Sequence, residues 1–224
     1  MDTVIIAIDG QASTGKSTQA KKLAENLKYD YRDSGAYYRA ITLYFLDNNI
    51  KFDLNITDKI LHKINIKQTY EEGQFSIYLN DHDVTDKIRG HKVSLNVSNY
   101  AKKPEIRKFV FNQLRKSSES NCLVVDGRDI GTVVFPDAEL KLFMTSSAEI
   151  RAQRRYDELI AGGQKVSFEE VFNNVVERDR IDTSRADSPL IKAEDAIEID
   201  NSHLTKEEQF KKVLQLSRRR LGNV

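Results

Sequence analysis

The amino-acid sequence predicts an α/β fold in which a parallel β-sheet is flanked by helices. Short apolar runs alternate along the chain with helical segments, and a glycine-rich loop that precedes a helix follows the first run. The chain has 224 residues, 39% of them hydrophobic and 31% charged, so it can bury a core and is too apolar to be disordered. We therefore expect one globular domain.

Four apolar runs are the predicted strands. They cover residues 4–8, 123–125, 140–144 and 196–199. The first run is continuous and rich in β-branched side chains, which is typical of a strand that is covered on both faces in a parallel sheet. Helical stretches separate the runs, and this alternation is the main reason to predict an α/β sheet.

Helix N-termini are indicated by a Ser or Thr that is followed three residues later by Glu, the spacing of a capping box. The pairs with this spacing are Ser146 with Glu149, Ser167 with Glu170, and Thr205 with Glu208. The helix after Ser167 carries apolar residues at 168, 171, 172, 175 and 176. We predict that this stripe packs mostly in the core.

Residues 63–79 interrupt the alternation of strands and helices. Apolar side chains recur there at every second position, and Glu71, Glu72 and Gly73 form an expected turn, which together are typical of a β-hairpin. We predict that this hairpin belongs to an inserted subdomain. A hairpin at the edge of the main sheet is the alternative that the pattern leaves open.

The loop after the first predicted strand matches the phosphate-binding pattern GxxxxGK[ST]. Its two glycines allow backbone N–H groups to converge on an anion at the N-terminus of the next helix. The lysine is expected to reach the β- and γ-phosphates of a nucleoside triphosphate, and the last serine to be a ligand of Mg²⁺. The predicted ATP-binding residues of this segment are Gly10, Gln11, Ala12, Ser13, Thr14, Gly15, Lys16, Ser17 and Thr18.

Arginines are frequent at separate places along the chain, whereas a guanine-reading NKxD segment is absent. A kinase that phosphorylates a nucleoside monophosphate must bring two polyanions together, so it needs arginines around both. The acceptor phosphate has a second pKa of about 6 and needs no general base at neutral pH. This pattern favours such a kinase over a GTPase. The arginines are Arg39, Arg107, Arg128, Arg151, Arg154, Arg155, Arg178, Arg180 and Arg185.

The composition excludes several other classes of function. A formal net charge of +1 argues against a uniformly basic nucleic-acid-binding protein, and no apolar stretch is long enough to span a membrane. Cys122 is the single cysteine, and we expect it to pack as a small hydrophobic residue in a reducing compartment. We expect a soluble, cytoplasmic monomer that binds neither nucleic acid nor membrane. The histidines, at 62, 82, 91 and 203, lack metal-ligand spacing.

Three further motifs resemble those of bacterial-type cytidylate kinases. They are residues 33–39 (DSGAYYR), 126–132 (DGRDIGT) and 178–185 (RDRIDTSR), and the resemblance extends over nearly the whole chain. It implies a P-loop kinase fold with a five-stranded parallel sheet. It further implies a core at about 1–35, 105–150 and 186–224, a monophosphate-binding subdomain at about 36–104, and a lid at about 151–185.

The resemblance also implies an activity, the transfer of the γ-phosphate of ATP to CMP or dCMP with Mg²⁺. The catalytic residues would be Lys16, Arg128, Arg154 and Arg185, and Arg155 would bind ATP. Asp129 would accept a hydrogen bond from the exocyclic amino group of cytosine, which uracil lacks. The CMP-binding set would be Ser34, Arg39, Ser98, Arg107, Arg128, Asp129, Arg178 and Asp182. Ser17 would bind the metal, and Asp126 would orient it through water.

Two positions depart from the family pattern. Gln11 stands where a proline is usual, and Tyr37 replaces an aliphatic residue. Neither position supplies a charge that the reaction needs, so we expect altered packing and no loss of activity. Two alternatives stay open: a kinase of relaxed specificity for UMP and CMP, and a non-catalytic regulator that retains nucleotide binding.

Overall fold

The computed structural model describes residues 3–51, 58–119 and 121–222, and its strands form two separate sheets. The strands in chain order are β1 (Ile5–Gly10), β2 (Asp30–Asp33), β3 (Ile66–Glu71), β4 (Gln74–Leu79), β5 (His82–Asp83), β6 (Leu123–Gly127), β7 (Leu140–Thr145) and β8 (Ile197–Asp200). The larger sheet is parallel and five-stranded, in the order β2-β6-β1-β7-β8. The predicted α/β architecture is thereby confirmed.

Strand β2 is the one member of this sheet that the apolar runs did not indicate. Its sequence, Asp-Tyr-Arg-Asp, is mostly polar because the strand lies at the edge of the sheet and pairs only with β6. Tyr31 is its single fully buried side chain. A strand of this kind has too little apolar surface to be recognised from hydropathy.

Helices cover both faces of the five-stranded sheet. They are α1 (Lys16–Leu27), α2 (Ser34–Asp47), α3 (Asp58–Leu61), α4 (His91–Ala101), α5 (Pro104–Ser117), α6 (Ala148–Ala161), α7 (Phe168–Ser184) and α8 (Lys206–Leu221). Among the described residues, two separate clusters of buried apolar side chains form the core. One includes Ala7 and Val125, and the other includes Ile6, Ile8 and Val124, so alternate residues of β1 and β6 face opposite sides of the sheet.

Two of the three predicted capping boxes are confirmed. Ser167 and Thr205 each accept a hydrogen bond from the backbone N–H of the Glu three residues later, whose carboxylate accepts from the cap backbone. The prediction for Ser146 was wrong, because α6 is capped one residue later, by Ser147, which accepts from the N–H of Ile150. A pair of adjacent serines gives two possible registers, and spacing alone selected the wrong one.

The apolar stripe of α7 is only partly buried. Val171 and Val175 are in the core, whereas Phe168 is 39% exposed and Val176 is 43% exposed. The core prediction was therefore wrong for these two residues. Phe168 instead makes ring contacts at the surface with Tyr156 of α6 and Phe172 of α7.

The hairpin at 63–79 lies outside the main sheet. Strands β3, β4 and β5 form an antiparallel sheet of their own, and Glu72 and Gly73 make the turn with positive φ angles of 51° and 78°. The edge-hairpin alternative was therefore wrong. The side chain of Gln68 in β3 connects the two sheets, since it accepts from Asp33 N–H and donates to the carbonyl of Tyr31.

Cys122 lies just before β6 as a free, partly buried thiol whose sulfur accepts a hydrogen bond from the N–H of Val4, 3.3 Å away. Tyr37 is buried in the core. Within the ranges given above, no helix combines the length and the apolar character needed to cross a membrane.

Candidate active site

A loop between β1 and α1 carries the glycine-rich motif, and the backbone there needs its glycines. Gly10 has a φ of 148°, and a Cβ at this position would lie 2.1 Å from the carbonyl oxygen of Met144 in the neighbouring strand. Gly15 has a φ of 84° at the start of α1, and Ser13 also has a positive φ. The loop thus curls tightly against the carboxyl ends of β1 and β7.

A cleft of about 280 Å³ opens beside this loop at the carboxyl ends of the parallel strands. Strands β1 and β6 are paired in register there, with Ile8 opposite Asp126 and Asp9 opposite Gly127. Most of the predicted site residues line the cleft. They are Ala12, Ser13, Gly15, Lys16, Ser17, Thr18, Ser34, Arg39, Ser98, Arg128, Asp129, Arg155, Arg178, Asp182 and Arg185.

Ser34 approaches the floor of the cleft because Gly127 has no side chain. The Ser34 hydroxyl donates a 2.8 Å hydrogen bond to the carbonyl of Asp126, and a Cβ on Gly127 would lie 2.5 Å from that hydroxyl oxygen. Asp33 caps α2 by accepting from the N–H of Ala36. The start of α2 is thereby fixed against β6, with its first residues facing the cleft.

Lys16 is buried at the base of the loop, where its ammonium donates to the carbonyl of Gln11, 3.1 Å away. Burial and the nearby guanidinium of Arg128 lower the pKa of Lys16 to about 7. A cation that is destabilised in this way gains strongly from a phosphate anion. The Gln11 contact uses only a backbone carbonyl, so this interaction does not depend on which side chain stands at position 11.

Two hydroxyl groups and a carboxylate lie close together next to the phosphate loop. Ser17 Oγ donates to Asp126 Oδ2 over 2.7 Å, and the hydroxyl of buried Tyr31 donates to Asp126 Oδ1 over 2.6 Å. Burial, followed by the charge of Asp33, raises the pKa of Asp126 to about 6. No group of three or more His, Cys, Asp or Glu residues with metal-binding geometry occurs in the described part of the chain. Hydroxyl and carboxylate oxygens of this kind nevertheless suit Mg²⁺, which is bound by few protein ligands.

Arg39 and Arg178 provide two partly buried cations in the cleft. Burial, followed by the repulsion of Arg178, lowers the pKa of Arg39 to about 9. Burial, followed by the repulsion of Arg128, lowers the pKa of Arg178 to about 10. Arg178 Nε has no hydrogen-bond partner among the described residues. Partly buried guanidinium groups that are repelled by neighbouring arginines and incompletely paired form a site for a highly charged anion.

Arg128 and Arg185 are held by Asp182. Arg128 Nε donates to Asp182 Oδ2 over 2.9 Å, and Arg185 Nη1 lies 3.7 Å from Asp182 Oδ1. Burial opposes the ionisation of Asp182, but the charges of Arg128, Arg178 and Arg185 outweigh it and lower the carboxyl pKa. Asp182 thus orders several cations at one side of the cleft.

Arg107 and Asp129 form a buried ion pair in the wall of the cleft. Arg107 Nη2 donates to Asp129 Oδ2, and Arg107 Nη1 donates to the carbonyl of Ala101. Both side chains are close to fully buried. Arg107 itself stands behind Asp129 and outside the lining of the cleft. The pair presents an oriented carboxylate, flanked by Arg185 at 3.8 Å, to anything that enters.

Arg154 and Arg155, although adjacent in α6, have different surroundings. Arg155 lines the cleft, where it donates to Ser94 Oγ over 3.2 Å and to Glu158 over 2.6 Å. Arg154 lies outside the cleft lining and donates both to the side chain and to the carbonyl of Asn201, each over 2.9 Å. Adjacent helical residues point about 100° apart, which accounts for this divergence.

Several cleft residues were not identified from the sequence. Lys21, Asp33, Tyr38, Arg89 and Glu158 line the cleft. Lys21 lies one helical turn after Ser17 on α1, so its spacing from the phosphate loop was a usable signal. Tyr38 and Asp33 belong to the DSGAYYR motif, but nothing in their residue type distinguishes a site residue from a structural one.

Arg151 is a further residue whose place the sequence did not reveal. Its guanidinium is buried and donates to both carboxylate oxygens of Asp179, at 3.1 and 2.6 Å, and to the carbonyl of Ala12 in the phosphate loop, at 3.3 Å. Arg151 therefore joins α6, α7 and the loop. Only the fold separates this structural arginine from the arginines of the cleft.

Comparisons with known proteins show the family to which the chain belongs. Residues 6–219 match the protein family described as cytidylate kinase. A cytidylate kinase of Flavobacterium psychrophilum is 54% identical over 224 residues, which cover 96% of this chain and 98% of that protein. A cytidylate kinase of Carboxydothermus hydrogenoformans is 50% identical over 213 residues, which cover 94% of this chain and 96% of that protein.

Solved structures show the same fold in more distant proteins. A gluconokinase from Sinorhizobium meliloti aligns with a TM-score of 0.51 and 12% identity, over 98% of this chain and 95% of that one. A shikimate kinase from Bacteroides thetaiotaomicron aligns with a TM-score of 0.50 and 13% identity, over 97% of this chain and 98% of that one. At such identities the likeness concerns the fold alone, and it confirms the phosphate-loop kinase fold.

Proposed function

The chain belongs to the cytidylate kinase family, and we propose that it transfers the γ-phosphate of ATP to CMP or dCMP, forming ADP and CDP or dCDP. The observation that carries this proposal is the buried Arg107–Asp129 pair, which lies in the wall of a cleft that also contains the phosphate loop. The same cleft thus contains a loop that can bind a triphosphate and a hydrogen-bond acceptor for the amino group of cytosine.

The base is selected by Asp129. A carboxylate that is fixed by Arg107 accepts a hydrogen bond from the N4 amino group of cytosine, whereas the O4 of uracil offers no donor. Asp129 is only 4% exposed, so a base without the amino group leaves a buried acceptor without its partner. Ser98 lines the same cleft and completes the proposed contacts to the base.

The acceptor phosphate is bound by Arg39, Arg128 and Arg178. Desolvation and the repulsion of neighbouring arginines lower the pKa of Arg39 and Arg178, and the charge of an incoming phosphate offsets both effects. Asp182 and Ser34 lie beside these arginines and orient the ribose and phosphate of CMP. Because a monophosphate with a second pKa of about 6 is already deprotonated at neutral pH, its oxygen attacks without a general base.

The donor triphosphate is bound by residues 10–18, with Arg155 opposite. Backbone N–H groups at the start of α1 bind the phosphates, and Lys16 moves from the Gln11 carbonyl to the β- and γ-phosphates. Lys16 and Arg128 stabilise the charge of the transferring phosphoryl group, as we propose Arg154 and Arg185 do after closure of the lid. Arg154 would have to release its hydrogen bonds to Asn201 before it could contact the substrate.

Ser17 and Asp126 are the residues that would hold Mg²⁺. Ser17 would supply a hydroxyl ligand, and Asp126, which Tyr31 orients, would supply a carboxylate acceptor beside it. The ion neutralises charge on the β- and γ-phosphates when it is bound. Replacing Ser17 by Ala should raise the Mg²⁺ concentration needed for half-maximal activity.

We propose that residues 151–185, which contain most of α6 and α7, are a lid over the phosphates. Arg155 and Arg39 donate to the same hydroxyl, that of Ser94, so a lid residue and an acceptor-site residue meet at one point. Closure excludes water, which would otherwise hydrolyse ATP. Residues 36–104 are the proposed monophosphate-binding subdomain, and the other ranges form the core. A cytoplasmic monomer that acts in pyrimidine nucleotide metabolism is also part of the proposal.

A panel of monophosphates tests the proposal. Purified protein is incubated with Mg-ATP and with CMP, dCMP, UMP, AMP or dTMP in separate reactions, and ADP formation is coupled to NADH oxidation. CMP and dCMP should be phosphorylated far faster than the others. Turnover of AMP or dTMP in preference to CMP would overturn the cytosine assignment. Nucleotide binding without ADP formation would instead indicate a regulator.

A further inference from the structure

Asp9 carries a buried carboxylate at the last but one position of strand β1 and directly precedes Gly10, the first glycine of the phosphate loop. It is 5% exposed. Its Oδ1 accepts a 2.9 Å hydrogen bond from the backbone N–H of Ile130, and its Oδ2 accepts a 2.8 Å bond from the N–H of Gly131. Each oxygen therefore has its own donor, and both donors lie more than 120 residues away in sequence.

These two N–H groups belong to the residues that immediately follow Asp129. They begin a π-helical turn, Ile130–Val134, whose last N–H groups at Val133 and Val134 donate to the carbonyl of Asp129. The main chain at Asp129 is thus fixed from both directions. The carbonyl of Asp129 accepts from the N–H groups of the turn, and Asp9 accepts from the two N–H groups that follow Asp129.

An ionised aspartate offers one acceptor oxygen to each of the two amides. An asparagine has one acceptor oxygen and would direct an NH₂ group at the second N–H. Ionisation of Asp9 is costly, because its carboxylate is buried. Burial raises the pKa of Asp9 to about 7, although the N–H groups of Gly131 and Ile130 lower it. The charged groups that face it are Asp129, which raises this pKa, and Lys16, which lowers it.

We propose that Asp9 is a positioning residue for cytosine selection, because it fixes the turn that aims the Asp129 carboxylate into the cleft. The inference depends on the proposed function, in which Asp129 accepts from the cytosine amino group. Asp9 does not touch the substrate. Since it also adjoins Gly10, the same residue links the start of the phosphate loop to the base-reading turn.

The test compares Asp9→Asn with the matched control Glu139→Gln. Glu139 also accepts a β1 backbone N–H, that of Ile5, but at the opposite end of the strand from the cleft. We expect D9N to raise the KM for CMP about tenfold and to lower the ratio of kcat/KM for CMP over UMP about tenfold. The KM for ATP should change by less than about threefold, and E139Q should keep wild-type selectivity.

The outcomes separate the inference from the proposed function. If the wild-type protein does not phosphorylate CMP, the proposed function fails. If the wild type prefers CMP and D9N keeps the same preference, or if D9N raises the KM values for CMP, UMP and ATP equally, the positioning role of Asp9 is overturned.

The wild-type protein provides a second test, which is decisive if D9N does not fold. The ratio of kcat/KM for CMP over UMP is measured between pH 6 and 8.5. Ionisation of the acceptor phosphate is common to both substrates and cancels in this ratio. The ratio should increase severalfold as Asp9 ionises, with a midpoint near 7. A ratio that is constant over this range would contradict the proposal.

Discussion

The guanidinium of Arg107 and the carboxylate of Asp129 are paired in the wall of the nucleotide cleft, and both are almost completely buried. Arg107 reaches this position from α5, and Asp129 follows β6. The pair leaves the Asp129 side chain oriented at a site from which water is largely excluded. Such a carboxylate discriminates strongly between a base that donates a hydrogen bond and one that does not.

Replacing Asp129 by Ala should affect CMP binding far more than ATP binding. The variant loses the acceptor for the cytosine amino group and leaves the buried Arg107 cation without its partner, so we expect the KM for CMP to rise about a hundredfold. Steady-state kinetics with each substrate varied in turn measure this. Asp137→Ala is the matched control, because Asp137 is an exposed carboxylate eight residues further along the same segment. An equal rise in both KM values would remove Asp129 from the base site.

Wild-type protein should prefer CMP over UMP by at least about a hundredfold in kcat/KM, because UMP leaves the buried Asp129 carboxylate without a donor. The two substrates are compared under identical Mg-ATP concentrations. A preference below about tenfold would indicate the alternative kinase of relaxed specificity. Asp129 would then accept from water or from a protein group in both complexes.

Replacing Lys16 by Ala should reduce kcat by at least about a thousandfold without unfolding the protein, because the ammonium neutralises charge on the transferring phosphate. Lys22→Ala is the control. Lys22 lies on the same helix but is exposed, and its ammonium lies over the ring of Phe210, 5.8 Å from the centroid. Substantial turnover by K16A with intact circular dichroism would contradict the role of the loop lysine.

The phosphate loop could be predicted from sequence because its chemistry is local. Gly10, Gly15, Lys16 and Ser17 act within one loop and one helix start, so fixed spacing encodes them. The apolar strands could equally be predicted from the sequence. Strand β2 could not be predicted in this way, because an edge strand with three polar residues has no clear hydropathy pattern.

Long-range contacts account for what the sequence did not reveal. In the sequence, Asp9 is a single polar residue that follows an apolar run. Its partners are backbone amides, which no pattern of residue types can indicate. Arg151 and Arg155 look alike in sequence, although one supports the phosphate loop and the other lines the cleft. Which arginines converge is a property of the folded chain. The family motifs identified most of them only because the whole segments match.

Replacing Asp179 by Asn should destabilise the fold by about 3 kcal/mol, because it leaves the buried guanidinium of Arg151 with weaker partners. Urea unfolding measures this loss. Glu177→Gln is the control on the same helix, since Glu177 pairs with Arg180 at an exposed site and its replacement should have no measurable effect. D179N should also raise the KM for ATP, because Arg151 supports the carbonyl of Ala12. Equal stability of the two variants would show that the Arg151 pair contributes little.

The stability of the protein should depend on pH through Asp9. Its pKa is raised from 3.8 to about 7 in the folded state, so the folded protein holds a proton that the unfolded chain has already released between these values. The contribution of Asp9 to the free energy of unfolding therefore falls as the pH rises from about 4 to 7, by roughly 4 kcal/mol. Asp9→Asn lacks this titration.

Urea unfolding of wild-type protein and D9N at a series of pH values measures this contribution. The free energy of unfolding of the wild type, minus that of D9N, should decrease up to about pH 7 and then become constant. A difference that rises with pH over this range would show that the folded state favours the ionised carboxylate from the start.

Inhibition by a bisubstrate analogue, in which a polyphosphate chain joins the 5′ positions of adenosine and cytidine, tests most directly whether one basic cleft holds both nucleotides. If Lys16, Arg39, Arg128, Arg155 and Arg178 act together, the compound spans both sites and its inhibition is competitive against ATP and against CMP. It should also bind much more tightly than either substrate. Competition with only one of the two nucleotides would contradict a shared cleft.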